Sequence, residues 1–302
     1  MENPNGAEIA TAGFNELLSS VLELIESALR IESALHDKIK ASDREEDEED
    51  IFVYCFLTRM EEIAASVILV SKGAAKIDGK VFGSKIDRFA DAALLVRSAL
   101  EGMWGFRAFM KDSSKIAERW RLYTIYENYR RQLRIEKIND DATAPTVARQ
   151  WLIQRYSAQD IKKAEGNFDF DDSRQNWYDH SAIPRLANSF CDELIRSVKY
   201  YHALDSKERS ELLKGCKKLH AIAYGDFSRI THWSPSGIGG TSPLGSLMNE
   251  NMVDIRFLPA IVFQSLFMMA KYANDRYHLC FEKKLNHIFD RYAKKNEMMK
   301  LV

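Results

Sequence analysis

The densest run of chemically capable side chains is His220, Tyr224, Ser228 and His232, which recur every four residues. On an α-helix such residues drift by only about 40° per step, so they share one ridge. Beside them Leu212, Cys216, Leu219, Ala223, Phe227 and Ile230 form an apolar stripe. A phenol, a hydroxyl and an imidazole would therefore lie along the border of a core. His232 falls at the end of the helix expected from Ser206 to Trp233, where the helix dipole favours the imidazolium. It opens directly onto the Gly/Ser/Pro-rich segment Ser234 to Ser246, a natural lid or substrate edge.

A second group is Arg97 and Glu101, four residues apart on an otherwise apolar helix expected from Lys85 to Lys111 (Ile86, Phe89, Ala90, Ala93, Leu94, Leu100, Trp104). An ion pair on a core-facing surface is costly to desolvate unless other polar groups complete it. Tyr224, Ser228 and His232 are the candidates to do so. The expected site is therefore Arg97, Glu101, Tyr224, Ser228 and His232. Two readings stay open: a functional pocket, or a satisfied polar network locking helices together. A Ser228–His232 nucleophile and base is disfavoured, because a helical serine bonds back to the carbonyl four residues earlier and no nucleophile elbow is present.

The elements that must carry these residues read as all-α. Six prolines and fourteen glycines leave room for long helices. Helical periodicity predicts helices over Phe14 to Ile39, Ile51 to Lys72, Lys85 to Lys111, Ser114 to Ile138, Pro145 to about Gly166, Ala182 to His202, Ser206 to Trp233, Asp254 to Tyr272 and Asp275 to Lys295. This is a bundle of about eight to ten helices with no convincing strand. Residues 1–41 form an N-terminal helix, appended or dimerising; 42–50 are an acidic linker; 51–302 form the main helical domain. Asp205 or Ser206 caps the seventh helix of this series, Ser206 to Trp233, with Glu208 placed for a capping box.

Composition narrows the function classes. With 43 basic and 44 acidic side chains, nothing global draws the chain to nucleic acid or anionic lipid. The Tyr- and Arg-rich helix Ser114 to Ile138 is suited to stacking bases, with Arg130, Arg131 and Arg134 meeting phosphates, but the favoured reading is that its aromatics pack and its arginines face water or the acidic run. An RNA partner stays an expectation beside a protein partner or homodimer. The most apolar run, Phe257 to Ala270, is short of the roughly 20 residues of a membrane span and predicts a buried core helix. Met1 to Ala10 lacks a secretory pattern, so a cytoplasmic protein without a membrane partner is expected. Cys55, Cys191, Cys216 and Cys280 are read as reduced core cysteines. No HExxH or paired Cys/His spacing suggests a metal, Asn167 to Tyr178 departs from a calcium loop at Asp172 and Tyr178, and no cofactor is expected.

Arg97-x-x-x-Glu101, the aromatic Trp177-Tyr178 and the later Tyr224-x-x-x-Ser228-x-x-x-His232 resemble an uncharacterised bacterial domain family of unknown function, over roughly residues 85 to 235. The resemblance implies an all-helical intracellular bacterial protein and supplies no activity. More distantly the chain is similar to helical domains that include ribonuclease toxins and antiphage effectors, whose ribonuclease members carry Arg and, after four to six residues, His. Arg30 with His36, Arg174 with His180 and Arg196 with His202 fit that spacing, little more than the one or two expected by chance. Two functions follow as expectations. The first is an accessory protein of a bacterial stress or antiphage module, binding a small ligand or partner. The second is a metal-independent ribonuclease-type effector, with His232 as acid/base and Arg97 as charge stabiliser.

Overall fold

The computed structural model describes residues 6–41, 47–72, 75–77, 80–82, 89–196, 202–231 and 257–295. Among them are ten α-helices: α1 Gly6–Ala41, α2 Glu48–Lys72, α3 Phe89–Lys111, α4 Ser113–Asn139, α5 Ala144–Ile153, α6 Ala158–Asn167, α7 Ile183–Arg196, α8 Ser206–Thr231, α9 Phe257–Tyr277 and α10 Glu282–Lys295. The all-α bundle is thus what the protein adopts, with one small addition. Strands β1 Ala75–Ile77 and β2 Lys80–Phe82 form an antiparallel hairpin, Ala75 facing Phe82 and Ile77 facing Lys80. The intervening Asp78-Gly79 is a two-residue hairpin signal that corrects the expectation of no strand.

The helices fall into two compact units. The larger draws on residues 1–45, 53–106 and 185–302. Its axis is α9, where every residue from Leu258 to Ala270 is buried, as a run apolar but for Gln264 and Ser265 requires. α1 and α10 pack along it, and α8 meets it as well. α1 contributes Leu18, Val21, Leu24, Ala28, Ile31 and Leu35, all fully buried. Leu22 and Leu29 lie outside this buried stripe and are about half exposed. Glu23 on α1 receives Lys284 at 3.1 Å and also Arg291, both from α10. α2 is less enclosed than its apolar girth suggests, since Cys55 and Leu69 are exposed.

The smaller unit draws on residues 46–52 and 107–184. α5 and α6 pack on α4, burying Leu122, Ile125, Tyr126 and Tyr129 against Ala148, Leu152, Ile161 and Phe168. Phe52 stacks on Phe109 with ring centres 4.3 Å apart and meets the edges of Trp120 and Trp177. Arg121 joins Glu48, in the acidic first turn of α2, to Asp160 in the first turn of α6.

Helix boundaries follow local capping. Pro145 opens α5, but the single helix expected as far as Gly166 is two, because Ser157 accepts from the Asp160 amide and restarts the chain. At α8 the capping box is made by Asp205: its carboxylate accepts from Glu208 N at 2.8 Å and Glu208 accepts from Asp205 N at 3.0 Å. The last break lies after Tyr277 rather than after Tyr272. His278 and Cys280 turn with positive φ, and buried Asn274 holds the turn: its carbonyl accepts from Leu279 N and its Oδ1 from Phe281 N at 2.7 Å. The expected starts at Lys85 and Asp254, the end at Trp233, and residues 42–46 of the acidic linker lie outside the described residues.

Asn274→Ala leaves the Phe281 amide without that acceptor in a turn already in the left-handed region. Urea denaturation is expected to show a loss of about 1–3 kcal/mol. An unchanged midpoint would show that the turn does not depend on this bond.

Candidate functional site

α3 brings Arg97 and Glu101 together as expected: Arg97 Nη2 lies 2.9 Å from a Glu101 carboxylate oxygen. The Arg97 side chain is only 15% exposed, that of Glu101 49%. One further turn along, Trp104 is buried, and the guanidinium carbon sits 5.7 Å from its ring centre. Spacings of four and seven thus place a cation, its counter-ion and an aromatic face on one side of α3. Arg97, Glu101 and Trp104 hold further interactions beyond these. Tyr224 and Ser228 lie on α8, but their side chains are outside the described residues, as are His232 and the Ser234 to Ser246 segment.

The earlier half of α8 carries a second constellation. Cys216 and His220, one turn apart, meet Cys191 of α7: the two thiol sulfurs and a ring nitrogen all lie within 4.8 Å of one another. All three side chains are buried. His220 Nε2 is 2.9 Å from Gln264 Oε1 on α9, and Gln264 Nε2 donates to the Tyr292 hydroxyl of α10 at 3.2 Å. The Cys216 thiol also reaches Gln264 Oε1, at 3.8 Å. His220 Nδ1 is buried with no hydrogen-bond partner among the described residues. The Cys191 thiol, and after it the His220 imidazole, draw the Cys216 thiol below its ordinary range, while burial drives Cys191 up. Lys217 and Asp192, each next in sequence to one of the cysteines, pair at 2.9 Å.

Sequence reasoning placed Cys216 in the α8 stripe and His220 on its ridge, yet did not join them to Cys191 as metal-ligand types. The readable signal was Cys216-x-x-x-His220; the third member comes from another helix. The reading of all four cysteines as core residues is corrected, since Cys55 and Cys280 are exposed and only Cys191 and Cys216 are buried.

A third polar cluster was not foreseen. Glu61 of α2 is 4% exposed, on the face that carries Leu57 and Ala64, and its Oε1 has no hydrogen-bond partner among the described residues. Burial, and then the neighbouring Glu32 carboxylate of α1, push its pKa from 4.5 up to about 8. Glu32 accepts from the Thr58 hydroxyl at 2.8 Å, and the same carboxylate raises the Tyr54 phenol through a hydrogen bond. Near neutral pH, Glu61 is thus the protonated member of a carboxylic acid–carboxylate pair. A glutamate at a core position of an apolar helix is the sequence signal for it.

The remaining motifs serve local structure. In α4 the Tyr123 hydroxyl donates to the Gln175 carbonyl, Tyr126 to that of Asp172, and Arg130 to that of Phe170 at 2.9 Å, while Arg119 lies over the Phe168 ring. Arg131 and Arg134 are exposed. Asp169 and Asp172 accept from the amides of Asp171 and Arg174, so both carboxylates cap turns of the loop. His202 places Nε2 3.1 Å from the Arg196 carbonyl. Among the described residues no helix is long and apolar enough to cross a membrane.

Fold and polar clusters together define an all-α protein with a few ionisable side chains, Glu61, Cys191, Cys216 and His220, buried among its helices. Residues 50–242 match the family described as Family of unknown function (DUF5677), and the chain belongs to that family. The match takes in Arg97, Glu101, Cys191, Cys216 and His220, whereas Gln264 and Tyr292 lie beyond it. No curated protein and no solved structure matches the chain.

The sign of the Glu61 effect follows from linkage. Its pKa is higher folded than unfolded, so the stability it contributes is fully present below about pH 4.5 and is lost as pH rises toward about 8. Between about pH 6 and 8.5 the wild type is expected to lose on the order of 2–3 kcal/mol from this group. Glu61→Gln, which stays neutral, should flatten that slope in urea titrations; an unaltered slope would place the titration elsewhere.

Proposed function

We propose that this chain is an accessory, ligand- or partner-binding component of a bacterial stress or antiphage module, working in the cytoplasm. Arg97 and Glu101 form the charged part of its binding site, and Tyr224, Ser228 and His232 complete it. The observation that carries this reading is the Arg97 side chain, 15% exposed, with its guanidinium beside a Trp104 ring on an otherwise apolar helix face. A charge in that place is costly to desolvate, and a hydrophobic side chain of similar volume would often be neutral or stabilising there. Retaining it suits a group that meets a polar ligand. The stress or antiphage setting is drawn from the resemblance to helical effector domains read in the sequence.

Stability measurements separate a binding site from a structural lock. Arg97→Met keeps the aliphatic stem and removes the charge, and Glu101, half exposed, can return to water. Arg97→Met and His232→Ala are each expected to melt within about 1 kcal/mol of the wild type, or above it. A loss of about 3–5 kcal/mol in both would make the set a structural network and remove the proposed site. Expression of the wild type is expected to be harmless to the host. Toxicity relieved by His232→Ala would replace the accessory reading with the metal-independent ribonuclease.

A further inference from the structure

The Cys191, Cys216 and His220 constellation has the composition and burial of a metal centre. The three side chains are 0%, 0% and 2% exposed, and each offers a ligand atom within 4.8 Å of the other two. Cys216 and His220 project from successive turns of α8, and Cys191 comes from α7, so one ion would tie two helices together. The imidazole is already oriented: Nε2 is held by Gln264 Oε1, and Gln264 is held in turn by Tyr292. Metal-bound histidines are held in the same way, by an outer hydrogen bond on the nitrogen opposite the metal. The ring nitrogen left over, Nδ1, is buried with no hydrogen-bond partner among the described residues. A lone pair enclosed in a core without a donor is costly, and a metal ion satisfies it.

We propose that Cys191, Cys216 and His220 bind one thiophilic d10 metal ion, zinc(II) or copper(I), through two thiolate sulfurs and His220 Nδ1. Two thiolates and an imidazole are ligands for these soft or borderline ions, and the absence of a carboxylate from the trio argues against magnesium or calcium. Each cysteine loses its thiol proton to solvent as the metal–sulfur bond forms. With zinc(II) the two thiolates balance the charge, which suits a site sealed from water. None of the three ligands belongs to the Arg97 site, and the test does not depend on that reading.

The test is elemental analysis of the full chain, purified reduced and without strong chelator, with zinc(II) and anaerobic copper(I) added in separate arms. About one equivalent of one of the two ions is expected to stay with the folded protein through gel filtration, and the arm that retains it identifies the ion. Cobalt(II) loaded in its place should give a thiolate charge-transfer band. Cys191→Ala and Cys216→Ala should each lose the metal, whereas Cys55→Ala, at an exposed thiol, should keep it. If the core variants do not fold, unfolding the wild type in the presence of a chromophoric chelator reads the same stoichiometry directly. Folded wild type that retains neither ion would overturn the proposal, as would a Cys191–Cys216 disulfide in its intact mass.

Discussion

The burial of α9 is the constraint on which the larger unit depends. From Leu258 to Ala270 this helix has no solvent-facing side. It cannot lie on a surface, so other helices must surround it, and α1, α8 and α10 do so. Enclosure then sets a problem at Gln264 and Ser265, the two polar residues inside the run, both fully buried. Ser265 solves its own by bonding back to the Ile261 carbonyl at 2.8 Å. Gln264 has no such local option and must find partners on other helices. His220 and Tyr292 are those partners, and a one-residue slip of α8 or α10 along α9 would leave an amide group unsatisfied in the core. Apolar burial decides that the helices surround α9, and the Gln264 amide decides in which register.

The same logic explains why ionisable groups collect where they do. An interior built from long helices has few loops to supply main-chain partners, so a buried polar side chain is satisfied by a side chain on the neighbouring helix. Glu61 meets Glu32, Cys216 meets Cys191 and His220, and Gln264 meets Tyr292. The smaller unit takes the opposite course. There α4 faces an irregular segment, residues 168–176, whose carbonyls accept from Tyr123, Tyr126 and Arg130. Tyr123, Tyr126 and Arg130 thus hold a loop while Arg131 and Arg134 stay exposed, a matter of where free main-chain acceptors are available.

What could be read from the sequence was what repeats locally. α9 was legible because its run is apolar but for Gln264 and Ser265, and the Arg97–Glu101 pair because four residues span one turn. Asp205 and Glu208 were legible as a capping pair for the same reason. The break between α5 and α6 was not, since residues 154–157 contain neither glycine nor proline and the restart rests on a single serine hydroxyl. The α9–α10 turn was misplaced because Asn274 reads as a helix stop, while its side chain in fact reaches forward to Phe281. Cys191 and Gln264 were invisible as partners of His220: they come from other helices, and helical periodicity says which face is buried without saying what it meets.

That limit also separates the polar clusters in kind. In the Arg97–Glu101 pair both members sit on one helix, so the pair forms whenever α3 forms and needs no tertiary structure. The Cys191–Cys216–His220 cluster and the Glu32–Glu61 pair exist only once separate helices have docked, and their properties report on that docking. A pKa of about 8 at Glu61 requires both the seal against water and the nearness of Glu32, so it vanishes if α1 moves away from α2. The thiol cluster likewise requires α7 and α8 to be in register. Local pairs are therefore cheap to specify and uninformative about assembly, while interhelical clusters are hard to see in sequence and sensitive to whether the bundle is intact. For a protein whose fold is carried by helix-helix contact, the second kind is where a bound ion or a change of protonation would be coupled to the whole larger unit.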